Sequence, residues 1–430
     1  MAFEMDEMKK RRQQREQKEQ ERLQQEKKTR VQLLIAVAIL VACAILITTI
    51  RIAIYRSAEG EPTTVPTTQP VQTTTEETRV TREPTTVIHI TAAGDLNITD
   101  KVVNSCGADY DYTETFMDVV PLLCEADLTV MNFEGSLCGV PYDGTSAPPQ
   151  MLTALKNAGV DMLQLANSKT ISRGFAGFQS TLQSVRDAGV ISLGVFENKS
   201  EFEKTGGYTI LQVRGVKVAV VAFTKGMDNM TLPVGSEKCV NLLYSDYSST
   251  YRKVDTQGIT RILRSIAREK PDVTIAMLHW GSEYNDSHSD SQKEIKDLMM
   301  SEGVDAIIGT HPHLVQEMEY DQDAGTFVAY SLGDFFGDAS RAGTEYSVVL
   351  DLEITKDNVT GVTSITNFTY APIFTAENPD GTLRVVRLQE AIADYEDMHI
   401  NSVSPETYDS MIYGLSRIED RVKPKVEAEE

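Results

Sequence analysis

The chain is short of the residues that build small disulfide or thiolate scaffolds. It has five cysteines and one tryptophan in 430 residues. Cys43 lies in an uncharged run; Cys106, Cys124, Cys138 and Cys239 are an even set that permits disulfides but is too sparse for a disulfide framework. No CxxC spacing occurs, which argues against a cysteine zinc site. Positive charge is outnumbered, with 41 Lys and Arg against 63 Asp and Glu and a net charge of −22, so no broad basic face for nucleic acid is expected. Histidine is scarce as well, at six. No internal repeat is present.

What basic charge there is gathers near the start. Residues 1–30 read as a cytoplasmic charged arm, with MKKRRQQREQKEQERLQQEKKTR over 8–30 almost devoid of apolar side chains. Residues 31–50, VQLLIAVAILVACAILITTI, contain no charge. Twenty residues at about 1.5 Å each match a hydrocarbon core of about 30 Å, so the run is expected to be a single transmembrane helix. Lys27, Lys28 and Arg30 outweigh Arg51 and Arg56 across it, which predicts a cytoplasmic N-terminus and everything beyond the span outside the cell. Residues 51–86 are rich in Thr and Pro and read as an extracellular stalk.

From residue 87 to about 400 strands and helices alternate. Apolar runs at 87–95, 127–135, 161–169 and 190–196 read as strands, separated by helices over 113–124, 150–158 and 175–188. Hairpins are expected over 207–224 and 346–372, and a helix over 257–269. The pattern predicts an α/β fold with two packed mixed β-sheets flanked by helices. Residues 401–430 read as a C-terminal helix followed by a charged acidic tail.

Six of the turns end apolar runs with polar groups: AAGD, NFEG, ANSK, LHWG, GTHPH and SLGD. In open α/β sheets such turns meet at the carboxyl edge and form a pocket. His279, His288, His311 and His313, four of the six histidines, fall between Asp272 and Asp338. Asp95, Glu134, His279, His311 and His313 together offer two carboxylates and three imidazoles, a ligand mix that suits a pair of divalent ions such as Zn, Mn or Fe, and two such ions about 3.5–4 Å apart suit in-line hydrolysis.

The order GD, NFE, AN, HWG, GTHPH, SLGDF resembles the CapA family of poly-γ-glutamate capsule biosynthesis proteins, over roughly residues 88–338. The resemblance implies a variant of the calcineurin-like metallophosphatase fold, an αββα sandwich. It implies Asp95 and Glu134 as metal carboxylates and His279, His311 and His313 as imidazole ligands. Asn132 and Glu283 become supporting or substrate-facing residues, together with Asn167. It also implies an anionic capsule polymer and membrane synthase components as partners.

One motif departs from the family's A-N-N-H-x-x-D-x-G, because here the stretch reads Ala166-Asn167-Ser168-Lys169-Thr170-Ile171-Ser172-Arg173-Gly174. Serine replaces an amide ligand, and a lysine, protonated at neutral pH, replaces the imidazole expected to donate a proton. Three readings follow. Lys169 sits where a second metal would, leaving one ion or none; Lys169 and Arg173 face solvent; or His288 takes the imidazole's role. The first makes the protein a non-catalytic or weakly catalytic capsule component with Lys169, Arg173 and Arg341 as cationic contacts for the polymer. The alternatives are an active surface metallohydrolase and a non-enzymatic cell-envelope interaction protein whose basic arm contacts anionic lipid.

Overall fold

The structure is a computed structural model that describes residues 83–397 and 403–422. The expected arm, the membrane span, nearly all of the stalk and the final acidic tail lie outside the described residues. Among those described, no helix is long and apolar enough to cross a membrane.

Fourteen strands among the described residues form two mixed sheets. The larger runs β14 (Leu383–Arg387), β13 (Thr363–Glu377), β12 (Tyr346–Asp357), β1 (Thr85–Asn97), β2 (Leu128–Glu134), β3 (Met162–Gln164) and β4 (Ile191–Leu193), with β11 (Asp334–Phe336) also paired to β1. The smaller runs β5 (Thr209–Val213), β6 (Val216–Thr224), β7 (Val273–His279), β8 (Ala306–Thr310), β10 (Thr326–Ala329) and β9 (Met318–Asp321). The α/β architecture with two mixed sheets is as the alternation predicts.

Side-chain alternation explains the layering. Ile88, Ile90 and Ala92 of β1, Leu128 and Val130 of β2, Val218 and Val220 of β6, and Ile275 and Met277 of β7 share one buried cluster, the core between the sheets. Met131 and Phe133 face the other way, onto helices Pro149–Asn157 and Gly174–Asp187. Ala276 and Leu278 likewise face helices Thr256–Glu269 and Asp290–Ser301. The result is four layers, helix–sheet–sheet–helix.

Several local expectations needed correction. The helix over 113–124 breaks into Thr113–Phe116, a tighter 3-10 turn Met117–Val119 and Val120–Cys124. Pro121, tolerated only in a first turn, explains why a new helix starts there. The stretch TFVAYSLGDFF is not one strand ending at Asp334. β10 stops at Ala329, and Asp334 begins β11, which has crossed to the other sheet. Helix Pro405–Val422 packs Met411, Ile418 and Val422 into the core between the sheets. The four cysteines among the described residues are free thiols.

Candidate metal centre

The inter-sheet face turns polar where its strands end. Asn132 and Glu134 continue the parity of Leu128 and Val130, and His279 continues that of Ile275 and Met277, so all three emerge between the sheets. Asp95 reaches the same face through a bulge. The register runs Ala93 to Met131 and then Asp95 to Asn132, leaving Gly94 unpaired and reversing the alternation. Gly94 also permits a close crossing: a Cβ there would stand 1.9 Å from the Gly333 carbonyl oxygen. The Asp95 N–H donates to that carbonyl at 2.9 Å, and β1 and β11 pair Asp95 with Asp334.

β8 ends at Thr310, and the next turn bends sharply at His311 (φ +93°) and His313 (φ +59°). Both lie in the left-handed region that non-glycine residues rarely occupy, a strain found at functional sites. The turn is tied to the centre, because the His311 N–H donates to Asp95 Oδ2 at 3.0 Å.

The five residues expected to hold a metal therefore converge, and all five are buried. Asp334 joins them. Three overlapping triads, Glu134–His311–His313, Asp95–His313–Asp334 and Asp95–Glu134–His279, each bring their ligand atoms within 4.8 Å of one another. Burial raises the pKa of Asp95, Glu134 and Asp334, with His313 acting in the opposite sense on all three. For His313 burial favours the neutral ring, but the surrounding carboxylates, Asp334 foremost at 2.7 Å, outweigh it and raise its pKa well above the ordinary value. Burial lowers His279 and His311 well below theirs, leaving neutral imidazoles.

Two fully buried side-chain atoms of the cluster make no hydrogen bond, His311 Nδ1 and Glu134 Oε2. The nearest cationic partner of Glu134 Oε2 is His313 Nε2 at 3.9 Å, beyond hydrogen-bonding range. Leaving a buried carboxylate oxygen and an imidazole nitrogen unpaired is costly unless something else binds them. Three carboxylates and three imidazoles around such orphaned atoms fit a divalent cation.

Ser168 bonds two residues of the centre. Its N–H donates to His279 Nε2 at 3.1 Å, and its hydroxyl donates to Glu134 Oε1. His279 Nδ1 lies 3.2 Å from Thr310 Oγ1, consistent with a ring protonated on Nδ1.

The remaining predicted residues divide. Asn132 Nδ2 donates to Asp95 Oδ1 at 2.6 Å, and Asn167 Nδ2 donates to Asn132 Oδ1 at 3.0 Å and to the Phe133 carbonyl at 2.7 Å. Both are buried and orient the ligands from within rather than facing a substrate. Glu283 lines an open cavity of about 490 Å3 beside His311. Arg341 lies 4.2 Å over the Tyr284 ring, which itself stacks 5.6 Å from the His313 ring.

Lys169 does not enter the ligand cluster. Its Nζ pairs with Asp228 at 2.9 Å, half-buried at the cavity rim. Arg173 bonds Asp143 and Thr145 at 2.5 Å and serves the loop there. His288 is held by Glu317 at 3.2 Å and stacks on Tyr330 at 4.1 Å, lining a separate cavity of about 940 Å3 that none of the five metal candidates lines. Ser168, flagged in the sequence as the replacement for an amide ligand, does meet the centre, whereas Lys225 and Tyr284 escaped the sequence reading.

With this geometry established, comparison with known proteins gives the lineage. The model of the family described as bacterial capsule synthesis protein PGA_cap matches residues 89–339. The chain belongs to that family. Among its members, the capsule biosynthesis protein CapA of Bacillus anthracis is 25% identical over 294 residues, covering 64% of this chain and 66% of that protein. The PGA biosynthesis protein CapA of Bacillus subtilis (strain 168) is 26% identical over 281 residues, covering 62% and 67%. The chain thus spans about two thirds of the length of the curated relatives it matches. The calcineurin-like phosphoesterase YfkN of Bacillus subtilis superposes with TM-score 0.42 at 16% identity, over 77% of this chain and 100% of that one. A phosphatase of Mycoplasma pneumoniae gives TM-score 0.42 at 13% identity, over 67% and 94%. At such scores neither likeness bears on the chemistry of this PGA_cap protein.

Proposed function

We propose that this PGA_cap protein is a membrane-anchored capsule component. Residues 31–50 would cross the bilayer, the α/β domain would lie outside the cell, and that domain would hold one divalent cation and use it to engage the anionic capsule polymer during assembly or export. The observation that carries this reading is the buried cluster of Asp95, Glu134, His311, His313 and Asp334 with two of its polar atoms unbonded.

One ion is favoured over two because Ser168 already takes the His279 Nε2 lone pair and Glu134 Oε1. The free acceptors, His311 Nδ1 and Glu134 Oε2, lie on the side of His313. A divalent cation bound there supplies fixed positive charge and Lewis acidity toward an oxyanion. Asn132 and Asn167 hold the carboxylates in place, and the Asp95 contact to the His311 N–H fixes the strained turn. A metal centre also answers the awkwardness of a chain of net charge −22 meeting a polyanion.

The test is retention of the detergent-solubilised full chain on immobilised poly-γ-glutamate. Retention is expected with metal and lost on chelation, and metal-independent retention contradicts the reading. Protease accessibility of the domain on intact cells tests the topology.

A second reading, a surface metallohydrolase, is favoured by the open cavity that reaches His311 and Ser168. Metal-dependent phosphoester hydrolysis that disappears in His311→Ala and persists in Lys169→Ala would select it.

A further inference from the structure

The cavity beside the centre carries a charge pattern that the metal does not account for. Four charged side chains line or border it, Lys169, Asp228, Lys225 and Glu283. Lys169 and Asp228 neutralise each other at 2.9 Å, which leaves Lys225 and Glu283. Lys225 follows β6; its Nζ donates to the Gly281 carbonyl at 2.6 Å and lies 4.9 Å from the centroid of the Tyr251 ring. Neither contact brings an anion. No carboxylate of the described residues lies within ion-pair distance of this ammonium, so up to two of its three donors remain for a ligand. Burial lowers its pKa below the ordinary lysine value, against the nearby Glu283 and Asp228 charges, which act to raise it. Glu283 is exposed, and its carboxylate makes no hydrogen bond or ion pair with any described residue. Opposite charges therefore face one space of about 490 Å3 without closing on each other, and His311, whose Nδ1 is unbonded, forms part of its wall. A space of that size takes a small ligand or the end of a long one.

We infer that this cavity is a subsite for an amino-acid end, in which Lys225 takes a carboxylate and Glu283 takes the ammonium borne on the same carbon. The inference rests on the capsule-polymer reading above and deepens it. In a γ-linked polyglutamate every interior residue presents a carboxylate, but only the amino-terminal residue presents an ammonium beside it. A site with one fixed cation and one fixed anion thus distinguishes the chain end from the chain interior. Tyr251, already against the Lys225 ammonium, gives that end an aromatic wall.

Calorimetric titration of the metal-loaded, detergent-solubilised full chain with γ-glutamylglutamate, in both enantiomeric forms, and with its N-acetylated derivative tests this. Loss of one charge-assisted contact is expected to change affinity about ten-fold. The free dipeptide should bind about ten-fold more tightly than the acetylated one. Glu283→Gln should abolish that preference, and Lys225→Met should weaken both ligands about ten-fold. Both variants should keep the wild-type metal content, which shows that the neighbouring centre is intact; Lys225→Arg should restore carboxylate binding. Equal affinity for the two dipeptides, or a preference that survives Glu283→Gln, overturns the inference and leaves the capsule-polymer reading standing. Binding of inorganic phosphate with no binding of either dipeptide overturns both.

Discussion

Replacing Gly94 with alanine tests the crossing that brings Asp95 and Asp334 together. Gly94 does not need glycine for its backbone angles, since its φ is not positive. It needs glycine for space. The added methyl would lie 1.9 Å from the Gly333 oxygen, 3.0 Å from the Gly333 carbonyl carbon and 3.3 Å from Leu332 Cβ. Two of those three atoms are backbone and cannot rotate away, so β1 and β11 must separate. Overpacking of this kind costs about 1–3 kcal/mol. Breaking the 2.9 Å bond from the Asp95 N–H to the Gly333 carbonyl in a buried site adds about 1–3 kcal/mol. A loss of about 2–6 kcal/mol is expected, a large part of a typical stability of about 5–15 kcal/mol. The control is Gly303→Ala, where φ is +90° but a methyl meets nothing within 4 Å. Only the left-handed backbone term of about 1–2 kcal/mol applies there. Urea unfolding of both variants, with metal content measured alongside, reads the difference. If Gly94→Ala loses no more stability than Gly303→Ala and keeps its metal, the account of the crossing is wrong.

Other perturbations address separate links. Arg421, on the last helix, donates to the Val315 carbonyl at 2.8 Å and to Asp286 at 2.6 Å, bracing the loops on either side of the His-Pro-His turn. Arg421→Met should weaken metal binding about ten-fold by equilibrium dialysis, with Arg421→Lys partly restoring it. Lys169→Ala and His288→Ala should leave metal stoichiometry unchanged by elemental analysis, since neither side chain enters the cluster. Asp305 accepts a bond from the Thr274 N–H at 2.7 Å, yet burial raises its pKa from 3.8 to about 6. The folded state thus holds this proton more tightly than the unfolded state. The stability it contributes is complete below pH 3.8 and is lost as pH climbs to about 6. Asp305→Asn keeps an acceptor for Thr274 and removes that loss. It should be more stable than wild type by about 3 kcal/mol at pH 7 and by well under about 1 kcal/mol at pH 4, read from thermal or urea unfolding.

Much of the centre was legible because strand alternation carries a face to its end. The parity that buries Leu128 and Val130 also delivers Asn132 and Glu134, and that of Ile275 and Met277 delivers His279. What the pattern cannot carry is a change of parity or of sheet. The Gly94 bulge and the passage of the chain from β10 to β11 are both tertiary, so Asp334 was read as closing a strand when it opens one. The roles of Asn167, Ser168 and Lys169 were hidden for another reason. Three successive polar residues in one turn face three directions, into the scaffold, into the centre and toward Asp228. Lys225 was missed because a single lysine after an apolar strand carries no periodic signal.

The central claim is that a divalent cation belongs among Asp95, Glu134, His311, His313 and Asp334. Elemental analysis of the folded full chain, after metal loading and exhaustive dialysis at neutral pH, tests it most directly. About one tightly held ion per chain is predicted, falling to none in His311→Ala. A folded wild-type chain that retains no ion would contradict the account, and two ions would contradict the role given to Ser168.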